Sequence, residues 1–348
     1  MRQRRVVDSE DSGSQCQTSE ASNITLVRRN SSSCVRRFFI TITVSYCVCL
    51  VALKYSRVVQ DGIIYLHWIR SPYFRNLSNP SEYGVERARN VYVPGRNGSY
   101  LGVWQIAPST SQVSDKVESN EDFDALLSNG MPIVLYLHGN MGTRGTYHRV
   151  DLYQILASLG YHVITLDYAG FGDSPGWPTE RGMADDARLV WEWTKMRGDR
   201  SRMYVWGHSL GSAATTLLVR QLCDEGQGPD GVVLEAPITS VEDAAMSHPL
   251  SLPFRYLPFF RSLFLSSLPE KFNSVSRVGD LTCPILIVHG LLDKIIPIEQ
   301  GEEMYRAAVS KRSDPSQVYF EVFHEAGHRQ IKSFSKLRSI LKQFIPRS

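Results

Sequence analysis

Cysteine is scarce in this 348-residue chain, with six in all at Cys16, Cys34, Cys47, Cys49, Cys223 and Cys283, and no CxxC pair among them. That spacing excludes a cysteine zinc site, and so thin a supply excludes a small disulfide-stapled scaffold. An excess of one charge is missing too. The formal net charge is only +3 and the basic excess gathers at the N-terminal end, so the main body carries no electrostatic footprint for nucleic acid. The glycine-bearing stretch 139–145 lacks the GKS/T ending of a phosphate-cradling loop. His138, His208 and His289 do not fall at metal-ligand spacing, so neither metal nor cofactor is expected. What is present is ordinary globular material, 43% hydrophobic and 21% charged, enough for one large α/β domain with an appendage.

The appendage comes first. Residues 1–35 are rich in Ser, Asn, Gln, Glu and Arg without helical or strand period, which predicts a disordered tail. Residues 38–53 then pass without a charge, behind Arg28, Arg29, Arg36 and Arg37 and ahead of Lys54 and Arg57. A single membrane-spanning helix over 36–56 follows from that pattern, with the tail on the cytoplasmic side and the body lumenal, because the preceding arginines outnumber the following cations. Asn76 and Asn97 head N-x-S/T sequons on the lumenal side, although Asn23 and Asn30 head others in the tail. Residues 57–88 read as a linker whose apolar, aromatic part lies on the membrane surface or packs on the domain.

The body, 89–348, opens with a hairpin. Val91-Tyr92-Val93 and Leu101-Gly102-Val103-Trp104 flank Asn97-Gly98, a dipeptide suited to positive φ. Strands are then expected at 133–137, 162–167, 204–206, 232–234, 285–288 and 318–323, most of them short continuous apolar runs of the kind a sheet covered on both faces requires. Helical patterns at 150–159, stopping at Gly160, at 183–196 and at 334–344 alternate with them. That alternation predicts a mostly parallel, doubly wound sheet with ligands at the carboxyl ends of its strands.

The stretch around which this arrangement turns is Met203-Tyr204-Val205-Trp206-Gly207-His208-Ser209-Leu210-Gly211, a strand, a sharp turn and the start of a helix. Glycines on either side of Ser209 permit the strained bend that exposes a nucleophilic hydroxyl. A serine needs a base, an orienting acid and donors for the oxyanion. Asp293, in the loop after 285–288, supplies the acid, with Glu235 as its rival. His328, in Phe323-His324-Glu325-Ala326-Gly327-His328, supplies the base, with His324 as fallback. The oxyanion donors are the N–H of Leu210 and that of Asn140 in His138-Gly139-Asn140-Met141-Gly142, with Met141 as the alternative. The glycines and aspartates of 167–174 read as scaffold.

In order, spacing and context these residues resemble the α/β-hydrolase superfamily over about 90–348. More narrowly, Leu135-Tyr136-Leu137-His138-Gly139-Asn140, Gly142-Thr143-Arg144-Gly145, His148-Arg149-Val150, Ser158-Leu159-Gly160-Tyr161-His162-Val163 and Pro178-Thr179-Glu180-Arg181-Gly182-Met183 resemble the membrane-anchored lysophosphatidylserine and monoacylglycerol lipase family. So do Trp206-Gly207-His208-Ser209-Leu210-Gly211 and Ser247-His248-Pro249, and the likeness reaches Arg70-Ser71-Pro72-Tyr73-Phe74. The resemblance implies a catalytic triad at Ser209, Asp293 and His328, residence in the endoplasmic reticulum membrane with a lumenal hydrolase domain, and lysophosphatidylserine and monoacylglycerol as substrates. The stretch 324–328 is shorter than the family's corresponding loop.

Between about 238 and 281 the chain leaves the strand-helix rhythm for Pro249, Leu250, Leu252, Pro253, Phe254, Tyr256, Leu257, Phe259, Phe260, Leu263, Phe264 and Leu265. Such a run predicts a small apolar lid, suited to a lipid acyl chain that gains about 0.8 kcal/mol for each CH₂ buried. Arg144, Arg149 and Arg181 are the candidate phosphate partners. The rival functions are a protein depalmitoylase using the same residues on a thioester, and a silent binding protein on a hydrolase scaffold.

Overall fold

The computed structural model describes residues 16–73, 75–109, 119–248, 256, 260–268, 271–312 and 314–347. The chain divides into two compact units, Met1–Ser56 and Arg57–Ser348. In the first, helix α1 spans Cys16–Tyr55. Its stretch Ser33–Ala52, 20 residues of mean hydropathy 1.7 with none buried, is long and apolar enough to cross a membrane. Of the tail expected over 1–35, residues 16–35 lie in this helix. Residues 1–15 lie outside the described part.

The second unit is built on eight strands, β1 Ala88–Pro94, β2 Tyr100–Ile106, β3 Ile133–Leu137, β4 His162–Leu166, β5 Met203–His208, β6 Gly231–Glu235, β7 Ile285–Gly290 and β8 Val318–Phe323. They form one sheet in the order β1-β2-β4-β3-β5-β6-β7-β8. The first two pair antiparallel, β2 meets β4 antiparallel, and every later pairing is parallel. Asn97 (φ 56°) and Gly98 (φ 75°) turn the opening hairpin through the left-handed region, as that dipeptide predicts. Every residue of β3 to β7 is buried, which is why those strands read as largely apolar runs; edge strand β8 is only partly covered.

The helices of this unit are α2 Arg57–Tyr65, α3 Asn120–Leu127, α4 Tyr147–Ser158, α5 Glu180–Lys195, α6 Leu210–Asp224, α7 Val241–Ser247, α8 Phe260–Ser267, α9 Ser274–Val278, α10 Ile298–Lys311 and α11 Ser335–Phe344. Gly160, at φ 86°, turns the chain just past α4 where a side chain would be strained. Parallel register sets Leu137 beside Gly207, His208 beside Glu235, Glu235 beside Val288 and Gly290 beside Phe323. The carboxyl ends of β3, β5, β6, β7 and β8 therefore share one rim, and the loops leaving it converge.

Residues 57–88, expected as a linker, belong to the compact body. Tyr65 is fully buried, its main-chain oxygen accepts from the N–H of Met141 at 3.0 Å, and that of Ile69 accepts from Gly142 at 2.7 Å. Trp104 donates its indole N–H to the oxygen of Leu77 at 2.7 Å. An apolar segment beside a polar-edged loop gains both burial and hydrogen bonds by docking there. Of the apolar lid residues, Pro249, Leu250, Leu252, Pro253, Phe254, Leu257 and Phe259 lie outside the described residues, as do the side chains of Phe260, Leu263 and Phe264; Tyr256 is exposed.

Candidate active site

Ser209 stands between β5 and α6 at φ 54°, ψ −122°, a conformation that a residue with a side chain adopts only under constraint. Its N–H donates to the oxygen of Glu235 at 2.9 Å, and its own oxygen accepts from the Ser212 hydroxyl at 2.6 Å. The flanking glycines have separate reasons. A Cβ on Gly207 would come within 2.7 Å of Ser212 Cα, and one on Gly211 within 2.6 Å of the His138 oxygen, so side chains there would push α6 away from β5 and from the loop after β3. Strand, turn and helix thus hold Ser209 at the rim.

His328 and Asp293 arrive from the loops after β8 and β7. The imidazole Nδ1 lies 2.7 Å from Asp293 Oδ2, while Asp293 Oδ1 accepts from the N–H groups of Ile295 at 2.8 Å and Ile296 at 2.9 Å. Burial alone would raise the Asp293 carboxyl, but hydrogen bonding from His289 and His328 and from the main chain outweighs it and holds the group well below the usual carboxylate range. An ionised acid accepting the Nδ1 proton leaves Nε2 of a neutral His328 with its lone pair. The His328 ring lies 4.9 Å, centroid to centroid, from that of His208, the residue before Ser209. Moreover, His208 Nε2 donates to the main-chain oxygen of His328 at 3.0 Å, which ties the serine turn to the histidine loop.

Glu235 is not beside the histidine. Its Oε2 accepts from the indole of Trp206 at 2.9 Å, and burial pushes the carboxyl up to about 7. His324 is exposed. Asp293 and His328 are thus the acid and base candidates that the tertiary structure joins.

The loop after β3 packs against Ser209: a Cβ on Gly139 would sit 3.2 Å from Ser209 Cβ. Met141, at φ 52°, spends its N–H on the Tyr65 oxygen, so of the two alternative donors Asn140 is the one not so engaged. Arg149, buried, reaches back from α4 and donates to the main-chain oxygens of Thr143 at 2.7 Å, Met141 at 2.7 Å, Gly139 at 3.3 Å and Asn140 at 3.4 Å. One guanidinium satisfies four carbonyls of the loop and so fixes its backbone.

The phosphate-partner expectation is corrected for Arg144 and Arg149, whose donors are spent inside the fold. Arg144 is fully buried between Asp167 and Asp173, at 2.6 Å from each, and also donates to Asn90 at 2.7 Å; it holds the 167–174 turn to the sheet. Arg149 is the carbonyl clamp just described. Arg181 points into solvent on α5, 3.8 Å from Asp185. Arginine type alone does not reveal whether its five donors meet a ligand or the chain's own oxygens.

Three contributors escaped sequence reading. His289 Nε2 lies 3.0 Å from the Ile296 oxygen and 3.6 Å from Asp293 Oδ2, steadying the acid from behind. The His208 bond to the His328 oxygen is the second. The third is Arg329, exposed beside His328 with a guanidinium nitrogen 3.7 Å from Met141 Sδ, so a cation overlooks the same rim. The one available signal was adjacency, since each neighbours a candidate or lies in its loop. Leu291 and Leu292, just before Asp293, are 44% and 57% exposed and add apolar surface. Among the described residues no group of three or more His, Cys, Asp or Glu could hold a metal ion.

Residues 130–277 match the family described as serine aminopeptidase, S33. The chain is 38% identical over 318 residues to the lysophosphatidylserine lipase ABHD12 of Danio rerio, covering 89% of this chain and 83% of that protein. It is 35% identical over 266 residues to protein ABHD12B of Homo sapiens, covering 76% and 73%. Among solved structures, an α/β-hydrolase from Vibrio vulnificus superposes with a TM-score of 0.63 at 17% identity, over 83% of this chain and 92% of that one. The Pyrococcus furiosus esterase Pf2001 does so at 0.59 and 20% identity, over 80% and 97%. These likenesses establish the α/β-hydrolase fold.

Proposed function

Because the chain belongs to the family of lysophosphatidylserine lipase ABHD12 and is a serine ester hydrolase, we propose that it releases fatty acid from lysophospholipids, lysophosphatidylserine foremost, and from monoacylglycerol. The observation that carries the mechanism is the 2.7 Å contact of His328 with Asp293 beside the strained Ser209 turn. In this reading His328 Nε2 takes the Ser209 proton as Oγ attacks the acyl carbonyl, and Asp293 stabilises the imidazolium. The N–H groups of Asn140 and Leu210 receive the oxyanion; Leu210 is the first residue of α6, where the helix leaves its N–H groups without intrahelical partners. The imidazolium then returns its proton to the departing glycerol oxygen. Water, deprotonated by the same nitrogen, attacks the acyl-enzyme, releasing the fatty acid and restoring Ser209.

Arg329 is the cation we assign to the phosphoserine head group, since Arg144 and Arg149 are consumed inside the fold and Arg329 stands exposed next to His328. Leu291 and Leu292 offer the acyl chain apolar surface. In the same reading α1 anchors the chain by a single pass in the endoplasmic reticulum membrane with the body lumenal. Its support is the apolar stretch of α1 and the arginines before it. Asn76 and Asn97 are exposed, as glycan acceptors must be, and loss of apparent mass on endoglycosidase treatment, absent in Asn76→Gln/Asn97→Gln, tests that orientation.

The deciding experiment compares membranes carrying the wild type and Ser209→Ala, each offered lysophosphatidylserine, lysophosphatidylcholine, monoacylglycerol and an S-palmitoyl peptide. Fatty-acid release from lysophosphatidylserine and monoacylglycerol that vanishes in the variant supports the lipase. Equal release by both proteins removes Ser209 from the mechanism, and variant-sensitive cleavage of the thioester alone makes the protein a depalmitoylase.

A further inference from the structure

Two of the six cysteines lie far from the serine yet next to each other. Cys223 is in the last turn of α6, and Cys283 stands two residues before β7, 60 positions later in the chain. The fold closes that gap. The Cys223 sulfur accepts from the Thr282 N–H at 3.5 Å, which sets it against the residue that directly precedes Cys283. Cys283 is buried, whereas Cys223 is half-buried at the edge of the exposed turn 224–228. Gly228 leaves an approach open, since a Cβ there would stand 3.1 Å from the Cys223 sulfur.

The pair is polarised in the sense that thiol exchange requires. Hydrogen bonding from Cys283, and further from Thr282, draws the Cys223 thiol well below the usual thiol range despite its burial. The same hydrogen bond, with burial, pushes Cys283 well above that range. The accessible sulfur is the one an external disulfide can reach, and the buried one is placed to resolve the mixed disulfide.

We propose that Cys223 and Cys283 form a disulfide that ties the end of the serine-bearing helix α6 to the start of β7, the strand whose far end leads to Asp293. The Cys223 thiolate attacks a low-molecular-weight or protein disulfide, forming a mixed disulfide and expelling one thiolate. Cys283 then loses its proton and attacks the Cys223 sulfur, expelling the second thiolate. Two thiols of this chain are oxidised and one external disulfide is reduced to two thiols. The bond lies at the opposite end of α6 from Ser209, about 20 Å along a 15-residue helix, so it braces the scaffold without entering the reaction.

The test uses the full chain in detergent micelles, equilibrated in buffers with graded ratios of reduced and oxidised glutathione, acid-quenched, alkylated and mapped by mass spectrometry. A peptide pair linked through residues 223 and 283, rising in one step as the oxidised fraction grows, is the expected result. In Cys223→Ser, Cys283 stays alkylatable at every ratio. Both thiols remaining free in excess oxidised glutathione overturns the proposal, and so does a glutathione adduct on Cys223 with Cys283 free. Wild-type mapping decides the matter even where the variant fails to fold.

Discussion

Arg149 donates to the main-chain oxygen of Met141 at 2.7 Å, although one lies in α4 and the other in the loop beside Ser209. Through this bond and three like it, a buried residue of α4 fixes the backbone of the loop that packs on Ser209. Arg149→Met removes the donors while keeping much of the apolar stem. We expect kcat to fall by about 10²-fold, the order of losing one oxyanion donor, with KM changed far less. Steady-state kinetics on monoacylglycerol measure both constants, and an unchanged kcat removes Arg149 from the loop's support.

Asp293→Asn keeps the size of the acid but replaces an acceptor oxygen by a donor amide opposite His328 Nδ1. The wrong tautomer is then favoured, and a loss of about 10⁴-fold in kcat is expected while the fold persists. Glu235→Gln, whose carboxyl meets Trp206 and not the histidine, leaves kcat within about tenfold. Reversal of that ranking would make Glu235 the acid.

Arg329→Ala tests the head-group assignment. A charge-assisted hydrogen bond to a phosphate is worth about 1.5 to 3 kcal/mol, so kcat/KM on lysophosphatidylserine should drop about 10- to 100-fold, while monoacylglycerol, which has no phosphate, is spared. Equal loss on both substrates would mean that Arg329 supports the loop and not the ligand.

Acid should loosen this protein before its carboxylates titrate. Burial lowers the pKa of His138, His148 and His208, and that of His162 to about 3, so all four are neutral in the fold. In the unfolded chain they take up protons near about pH 6.5, so the unfolded state binds more protons below that value and stability falls with pH, by up to about 1.4 kcal/mol per unit for each histidine. Glu235, raised to about 7 by burial, and Asp186, also raised by burial, act in the opposite sense, two groups against six, since burial lowers the pKa of His67 and His248 as well. The thermal midpoint should drop by about 5 to 10 °C between pH 7 and pH 5. A flat profile over that window contradicts the neutral assignment.

What the sequence determined by itself is what neighbouring residues enforce. A strand buried on both faces is apolar over most of its length, with polar residues gathered at its ends, so most of β3 to β7 were legible as runs. A backbone bent to positive φ between a strand and a helix needs small neighbours, so Gly207 and Gly211 marked Ser209. The chain order of serine, acid and histidine followed from which loops leave the same rim. The tertiary structure decided what depends on residues distant in sequence. Burial of Arg144 and Arg149 is set by carboxylates and carbonyls that fold around them, and charge type carries no trace of it. Asp293, not Glu235, meets His328 because β7 and β8 pair in one register, although both carboxylates follow apolar runs. Met141 loses its N–H to Tyr65, from a segment whose composition read equally as membrane-facing or packed. Such choices are made by contacts across the sheet, where a shift of one residue or one rotamer changes the partner while the local pattern stays the same.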